Sequence, residues 1–346
     1  TQLFYVGTDG KWMIHPTLGY AIYINDYDGK RVSATTYYDT NKKPMDTAEG
    51  FAKVVYSYKD KKITGMKYLH ADGRSLAVGP EGYASVVYTT DKDGNILTEA
   101  YYGTDGQPTA DARGVYEAHF TWDGKNKASE RYYRDGEPAA DPQGIHATET
   151  KYNGDGKVTE VAFYGISGEP ALNEDGYARK TTEYLANGKV AAEKYYDAGG
   201  QLIRTPGKEY AFVRTVYYSE LAWAEEPEAG EEAGEEAESE DDSADLAEEE
   251  DPEIPGELTE KLKAEAAEKE DLSGVNGTVT EYYGTDGRLM NLSAGYAIVR
   301  KTNDDRGKVT EESYFGADRQ SVLLPAGYAV IRRTFDARGY QTEIGR

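Results

Sequence analysis

Over most of its length the chain alternates apolar or aromatic residues with polar ones in short runs, separated by segments rich in Gly, Asp and Asn. Alternation with a period of two predicts β-strands. In residues 176–206, GYARKTTEYLANGKVAAEKYYDAGGQLIRTP, a Tyr- and Thr-rich run from Gly176 to Tyr184 passes through Leu185-Ala186-Asn187-Gly188 into a second run, Lys189 to Tyr196, which ends on paired tyrosines. This predicts a β-hairpin whose turn needs positive φ at the glycine. Similar turns recur at Asp91-Lys92-Asp93-Gly94, Asn153-Gly154-Asp155-Gly156, Asp304-Asp305-Arg306-Gly307 and Asp336-Ala337-Arg338-Gly339. A second turn follows the aromatic pair, as in Tyr101-Tyr102-Gly103-Thr104-Asp105-Gly106-Gln107-Pro108, and its proline suits an extended connector.

The hairpin is one copy of a repeat. Gly-Tyr-Ala-type openings stand at Gly19, Gly50, Gly82, Gly176, Gly295 and Gly327, with degenerate copies at Gly114 and Gly144. The steps are 31, 32, 32, 30, 32 and 31 residues from Gly19 to Gly207, and 32 from Gly295 to Gly327. Self-similarity at such a period predicts an array in which each unit buries its apolar face only against its neighbours. The expected fold is all-β: a tandem β-hairpin solenoid with a period of about 32 residues, running over 1–218 and continuing over 274–346.

Strand parity assigns faces. The residue eight after the opening Gly (Tyr27, Tyr58, Trp122, Tyr152, Tyr184, Phe335) shares a face with the small residue at offset two, such as Ala178, and that face is expected to be buried. On the second strand Val32, Val158, Val190 and Val309 share parity with the second aromatic of the pair. The first aromatic should then point outward, unless both faces are covered or a bulge intervenes. The outward row comprises Tyr37, Tyr101, Tyr132, Phe163, Tyr195, Tyr282 and Tyr314. With 31 Tyr against 7 Phe, tyrosine is the expected core material, since it can bury its ring and still satisfy its hydroxyl at the edge of a thin structure.

The pattern breaks at 219–273, which holds 24 acidic residues against 3 lysines and so carries −21 of the chain's formal −24. Excising it rejoins one full unit at its hairpin turn, where a long insertion is tolerated because closure entropy grows only logarithmically. The insertion is expected to be disordered, with a short helix over 257–270 supported by Glu257/Lys261 and Glu265/Lys269. A solvated spacer, docking of a basic partner and diffuse binding of cations are the roles its composition suits. Both ends resemble cut units, as in a fragment of a longer array or imperfect half-units acting as caps.

Little in the sequence points to catalysis. There is no cysteine, hence no disulfide framework or thiolate metal site. His15, His70, His119 and His146 occupy unrelated places in their units, and no metal, cofactor or catalytic set is expected from them. Asp91-Lys92-Asp93-Gly94 opens like a calcium loop, but Tyr102 stands where the closing Glu belongs. No basic stripe suits nucleic acid, and no apolar run is long enough for a membrane span. The outward aromatic row is the remaining candidate: flat rings at regular spacing that stack on sugars of a cell-wall or extracellular polysaccharide, with avidity along the polymer. Covered, the same rings would be a second core stripe.

Tyr27-Asp28-Gly29 and Phe335-Asp336-Ala337-Arg338-Gly339 resemble the tyrosine-aspartate repeats of bacterial surface and toxin-associated proteins, the rearrangement-hotspot type, over most of the repeat body. Tyr101-Tyr102-Gly103-Thr104-Asp105-Gly106 and Tyr282-Tyr283-Gly284-Thr285-Asp286-Gly287 are similar to the aromatic hairpins of cell-wall-binding and choline-binding repeats, a resemblance that implies ligand sites between hairpins. The expected protein is a non-catalytic, extracellular or cell-surface bacterial region that binds glycans through the aromatic row. The rival reading is a structural stalk or protein-interaction scaffold.

Overall fold

The computed structural model describes residues 2–217 and 276–345. The acidic stretch 219–273 and the helix expected over 257–270 lie outside the described residues. Among those described the protein is all-β, without a helix. It divides into two compact units, Thr1–Lys180 with Asp197–Gly200, and Thr181–Tyr196 with Gln201–Arg346.

The first unit holds β1 (Gln2–Phe4), β2 (Ile22–Asp28), β3 (Arg31–Tyr38), β4 (Lys53–Lys59), β5 (Lys62–Leu69), β6 (Ser85–Thr90), β7 (Ile96–Tyr102), β8 (Glu117–Asp123), β9 (Asn126–Arg134), β10 (Glu137–Pro138), β11 (Ala147–Tyr152) and β12 (Val158–Tyr164). After β13 (Arg179–Tyr184), where the division falls, the second unit holds β14 (Val190–Tyr196), β15 (Phe212–Tyr217), β16 (Asn276–Tyr283), β17 (Ile298–Asn303), β18 (Val309–Phe315), β19 (Val330–Phe335) and β20 (Gln341–Gly345). Within each unit successive strands are antiparallel neighbours, a meander in which the short β10 folds back on β9. β15 and β16, which flank the undescribed stretch, pair from Phe212↔Tyr283 to Tyr217↔Thr278 as the two arms of a hairpin.

Long and short pairings alternate. The hairpin β2–β3 pairs along its length, from Ile22↔Tyr38 to Asp28↔Arg31. The next junction, β3–β4, pairs only Ala34↔Val55 to Thr36↔Lys53. The chain between them makes the second turn, bridges Tyr38 to Pro44, and re-enters the sheet at Phe51-Ala52. Equivalent bridges join Tyr102 to Pro108, Tyr164 to Pro170, Tyr196 to Leu202 and Tyr283 to Leu289.

One residue overturns the expected faces of the second strands. In β2–β3, Asp26 pairs with Ala34 and Tyr27 with Val32, so Ser33 has no partner and forms a β-bulge. The same skip follows Ser57, Thr89, Thr121, Lys151, Thr302 and Thr334. A one-residue bulge inverts the parity of everything beyond it. Val32 therefore faces with Tyr27 while Tyr37, not Tyr38, joins the face of Tyr23. The cross-strand pairs Val54↔Tyr68, Val86↔Tyr101 and Ala118↔Tyr132 place the first aromatic of each hairpin on the core face. These residues, with Phe51, Tyr83, Val115 and Ile145, form the core cluster of the first unit.

Candidate functional site

Each residue of the aromatic row occupies a three-way backbone junction. The amide of Tyr37 donates to the carbonyl of Ala52 at the start of the next hairpin, and its own carbonyl accepts from Met45 in the connector. Tyr101 is held likewise by Tyr116 and Thr109, Tyr132 by His146 and Ala139, and Phe163 by Ala178 and Ala171. In the second unit Tyr195 joins Ala211 and Ile203, Tyr282 joins Ala297 and Met290, and Tyr314 joins Ala329 and Val322. The connector thus runs alongside the residue it must pass.

The side chains follow. Tyr101, Tyr132, Tyr195 and Tyr314 are buried, Tyr195 to 2% exposure, and Tyr37, Phe163 and Tyr282 are half-buried. Tyr37 and Phe163 pack against the core cluster of the first unit, and Tyr282 against Val299, Tyr314 and Ile331 in the second. The outward orientation expected from parity is corrected by the bulge, which turns the first aromatic to the core face. Of the second aromatics, Tyr196 and Tyr283 are buried too: Tyr283 stacks on Phe212 at 4.5 Å and packs with Leu289 from its connector. The others are half-buried.

Between the row lie the aromatics of the unit openings, and together they form ladders. In the first unit the rings run Tyr5, Tyr20, Tyr37, Phe51, Tyr68, Tyr83, Tyr101, with successive centroids 5.7, 4.7, 5.7, 4.8, 6.1 and 4.9 Å apart. In the second they run Tyr210, Tyr282, Tyr296, Tyr314, Tyr328 at 5.1, 6.0, 5.2 and 6.4 Å. Tilted and edge-on contacts at this separation are favourable beyond the area they bury. Tyr5 and Tyr68 belong to the row although their neighbours are Val6 and Leu69. A search for aromatic doublets passes over them; their hairpin position identifies them.

Polar groups at the row serve the tyrosine hydroxyls. Tyr101 donates to Glu99 at 2.5 Å, Tyr314 to Glu312 at 2.7 Å and Tyr68 to Glu81 at 2.7 Å. Burial, reinforced by these carboxylates, raises the pKa of all three phenols well above the ordinary value. They stay protonated donors and cannot act as bases near neutrality. Arg113 ties Asp111 and the buried Glu130 together, each at 2.8 Å, and its guanidinium lies over the Tyr132 ring. The Arg113 and Lys127 cations outweigh desolvation and hold the Glu130 pKa below the usual carboxylate range.

The four histidines and Asp91 are also engaged locally. His70 pairs with Asp46 at 2.7 Å, His119 with Glu117 at 2.5 Å, and His146 Nδ1 with the carbonyl of Ala139 at 2.8 Å. His15 Nδ1 accepts from the amides of Thr17 and Leu18. Asp91, which opens the calcium-like turn, accepts from the amides of Asp93 and Asn95 and so closes its own turn. Among the described residues no three His, Asp or Glu side chains are grouped so as to hold a metal ion. No helix there is long and apolar enough to cross a membrane. No protein-family model matches this chain, and no curated protein matches it.

Proposed function

We propose that this chain is a non-catalytic repeat scaffold: a tandem array of β-hairpins, with a period of about 32 residues, acting as a stalk or protein-interaction support. The observation that carries the reading is the use of the aromatic row. Rings that would have to stand free to stack on sugars are instead buried or half-buried, on residues whose backbone joins each hairpin to the next and to its connector. An extracellular or bacterial cell-surface setting belongs to the same proposal and is supported by the sequence resemblance alone.

Co-sedimentation with insoluble cell-wall material tests the reading, using the chain and its Tyr101→Ala, Tyr132→Ala and Tyr195→Ala variants, each checked by circular dichroism. The scaffold account expects these substitutions to cost cooperative folding. Variants that stay folded but lose retention on the polymer would restore the aromatic row as a glycan-binding surface.

A further inference from the structure

We propose that a groove on the second unit, around Thr302, Glu311 and Arg332, binds an acidic saccharide, a short run of uronic-acid residues. Thr302 is the cross-strand partner of Glu311, and Glu311 is the partner of Arg332, so β17, β18 and β19 set the three side chains in one row on one face. The cavity above them measures about 570 Å³ and is also lined by Arg306, Thr334 and Phe335.

The chemistry of this lining selects its ligand. Arg332 Nε donates to Glu311 at 2.8 Å, which fixes the guanidinium plane while the side chain stays 70% exposed. Its two terminal nitrogens are left to offer parallel donors, the geometry that receives a carboxylate in a bidentate manner. Arg306 is held in turn by Asp304 and by donation from Nη1 to the carbonyl of Asp336 at 2.8 Å, giving a second fixed cation at the hairpin tip. Thr302, Thr334 and the Glu311 carboxylate line the same groove and can pair with sugar hydroxyls. The lining holds three arginines, Arg306, Arg332 and Arg333, against the two carboxylates Asp304 and Glu311, and this excess of cation suits a polyhydroxylated anion better than a neutral sugar. The row Thr89, Thr98, His119 in the first unit is joined by the same pairings but carries no guanidinium.

This site does not depend on the scaffold reading, which concerns the aromatic row. Titration calorimetry of the full chain tests it, with tetragalacturonate as probe, maltotetraose as neutral sugar and a peptide copying residues 240–251 as acidic peptide. Tetragalacturonate alone should bind. Arg332→Ala should weaken binding at least tenfold and Arg332→Lys nearly as much, since lysine keeps the charge but loses the fork; Arg288→Ala, outside the groove, should leave it unchanged. Arg332 is largely exposed, so thermal melts of the variants should match the parent. No binding, equal binding of maltotetraose, tighter binding of the peptide, or undiminished binding in both Arg332 variants would overturn the proposal.

Discussion

The hydroxyl of Tyr58 donates to the carbonyl of Val32, 26 residues earlier, at 3.0 Å, and so fastens one hairpin to the one before it. Trp122 Nε1 does the same to Ile96 at 2.7 Å, Tyr152 to Lys127 at 2.9 Å and Tyr217 to Val190 at 3.4 Å. The acceptors lie near the starts of the second strands, beside the bulges. Side chains that combine an aromatic body with a donor at the tip are needed here, which is one reason tyrosine so outnumbers phenylalanine.

Tyr58→Phe keeps the ring and removes only this link. It should cost about 1 kcal/mol, the usual net value of one hydrogen bond, read as a lower urea midpoint with unchanged slope. No shift in midpoint would show that the hydroxyl contributes nothing to the junction.

Gly19 and Gly50 both have positive φ, 74° and 87°, but only Gly19 is crowded: a Cβ there would lie 2.5 Å from the amide nitrogen of Ala48. Gly50→Ala should cost about 1–2 kcal/mol from backbone strain alone. Gly19→Ala should cost at least about 2 kcal/mol more, because backbone of the neighbouring connector must move. Equal costs in thermal melts would contradict the close packing of successive units.

Arg319 replaces the second-turn glycine found at Gly106 and Gly168, and adopts the same left-handed conformation, φ 65°. It reaches back to Glu281, which is fully buried, at 3.5 Å, while Tyr283 donates to the same carboxyl group at 2.7 Å. Arg319→Gly relieves about 1 kcal/mol of backbone strain but takes one cation from a buried carboxylate whose cross-strand partner Arg214 remains, a cost that exceeds the relief and stays below the about 3–5 kcal/mol of a fully unpaired buried charge. The single variant should therefore be destabilised, and Glu281→Gln added to it should recover most of the loss. A double-mutant cycle measures the coupling; a stabilised single variant would mean the ion pair is too weak to offset the turn strain.

Much of this was legible in advance. Period-two alternation and turn glycines such as Gly94, Gly156 and Gly307 mark the hairpins, and all three have positive φ. The face of the aromatic row was not legible, because the bulge at Ser33 leaves no trace in a pattern of apolar and polar positions. Only the pairing reveals it. The opening expected at Gly207 is displaced: Ala211 makes the bond to Tyr283 that Ala21 makes to Tyr38, so the hairpin begins two residues later than the glycine suggests. The Arg332 groove was missed because its members come from three strands and only cross-strand register brings them together.

Burial, with Tyr296 and Tyr210 nearby, pushes the pKa of Tyr282 up to about 12 from 10.0, and burial with Glu99 and Glu81 does the same for Tyr88. A phenol whose folded pKa is raised contributes stability that is complete below pH 10 and lost as pH rises toward 12. Urea midpoints should hold steady up to pH 9 and fall between pH 10 and 12, with a late phase of tyrosinate absorbance. A single titration near pH 10 with no loss of stability would contradict the buried ladder.

Nitration of the native chain by tetranitromethane, mapped by peptide mass spectrometry, tests the central claim most directly. Tyr340, at 70% exposure, and Tyr27, at 45%, serve as internal standards for an accessible ring. The scaffold account predicts that these two react first, while Tyr37, Tyr101, Tyr132, Tyr195, Tyr282 and Tyr314 stay protected until the protein unfolds. If the tyrosines of the row react as fast as Tyr340 in the folded chain, they are a surface platform and the account is wrong.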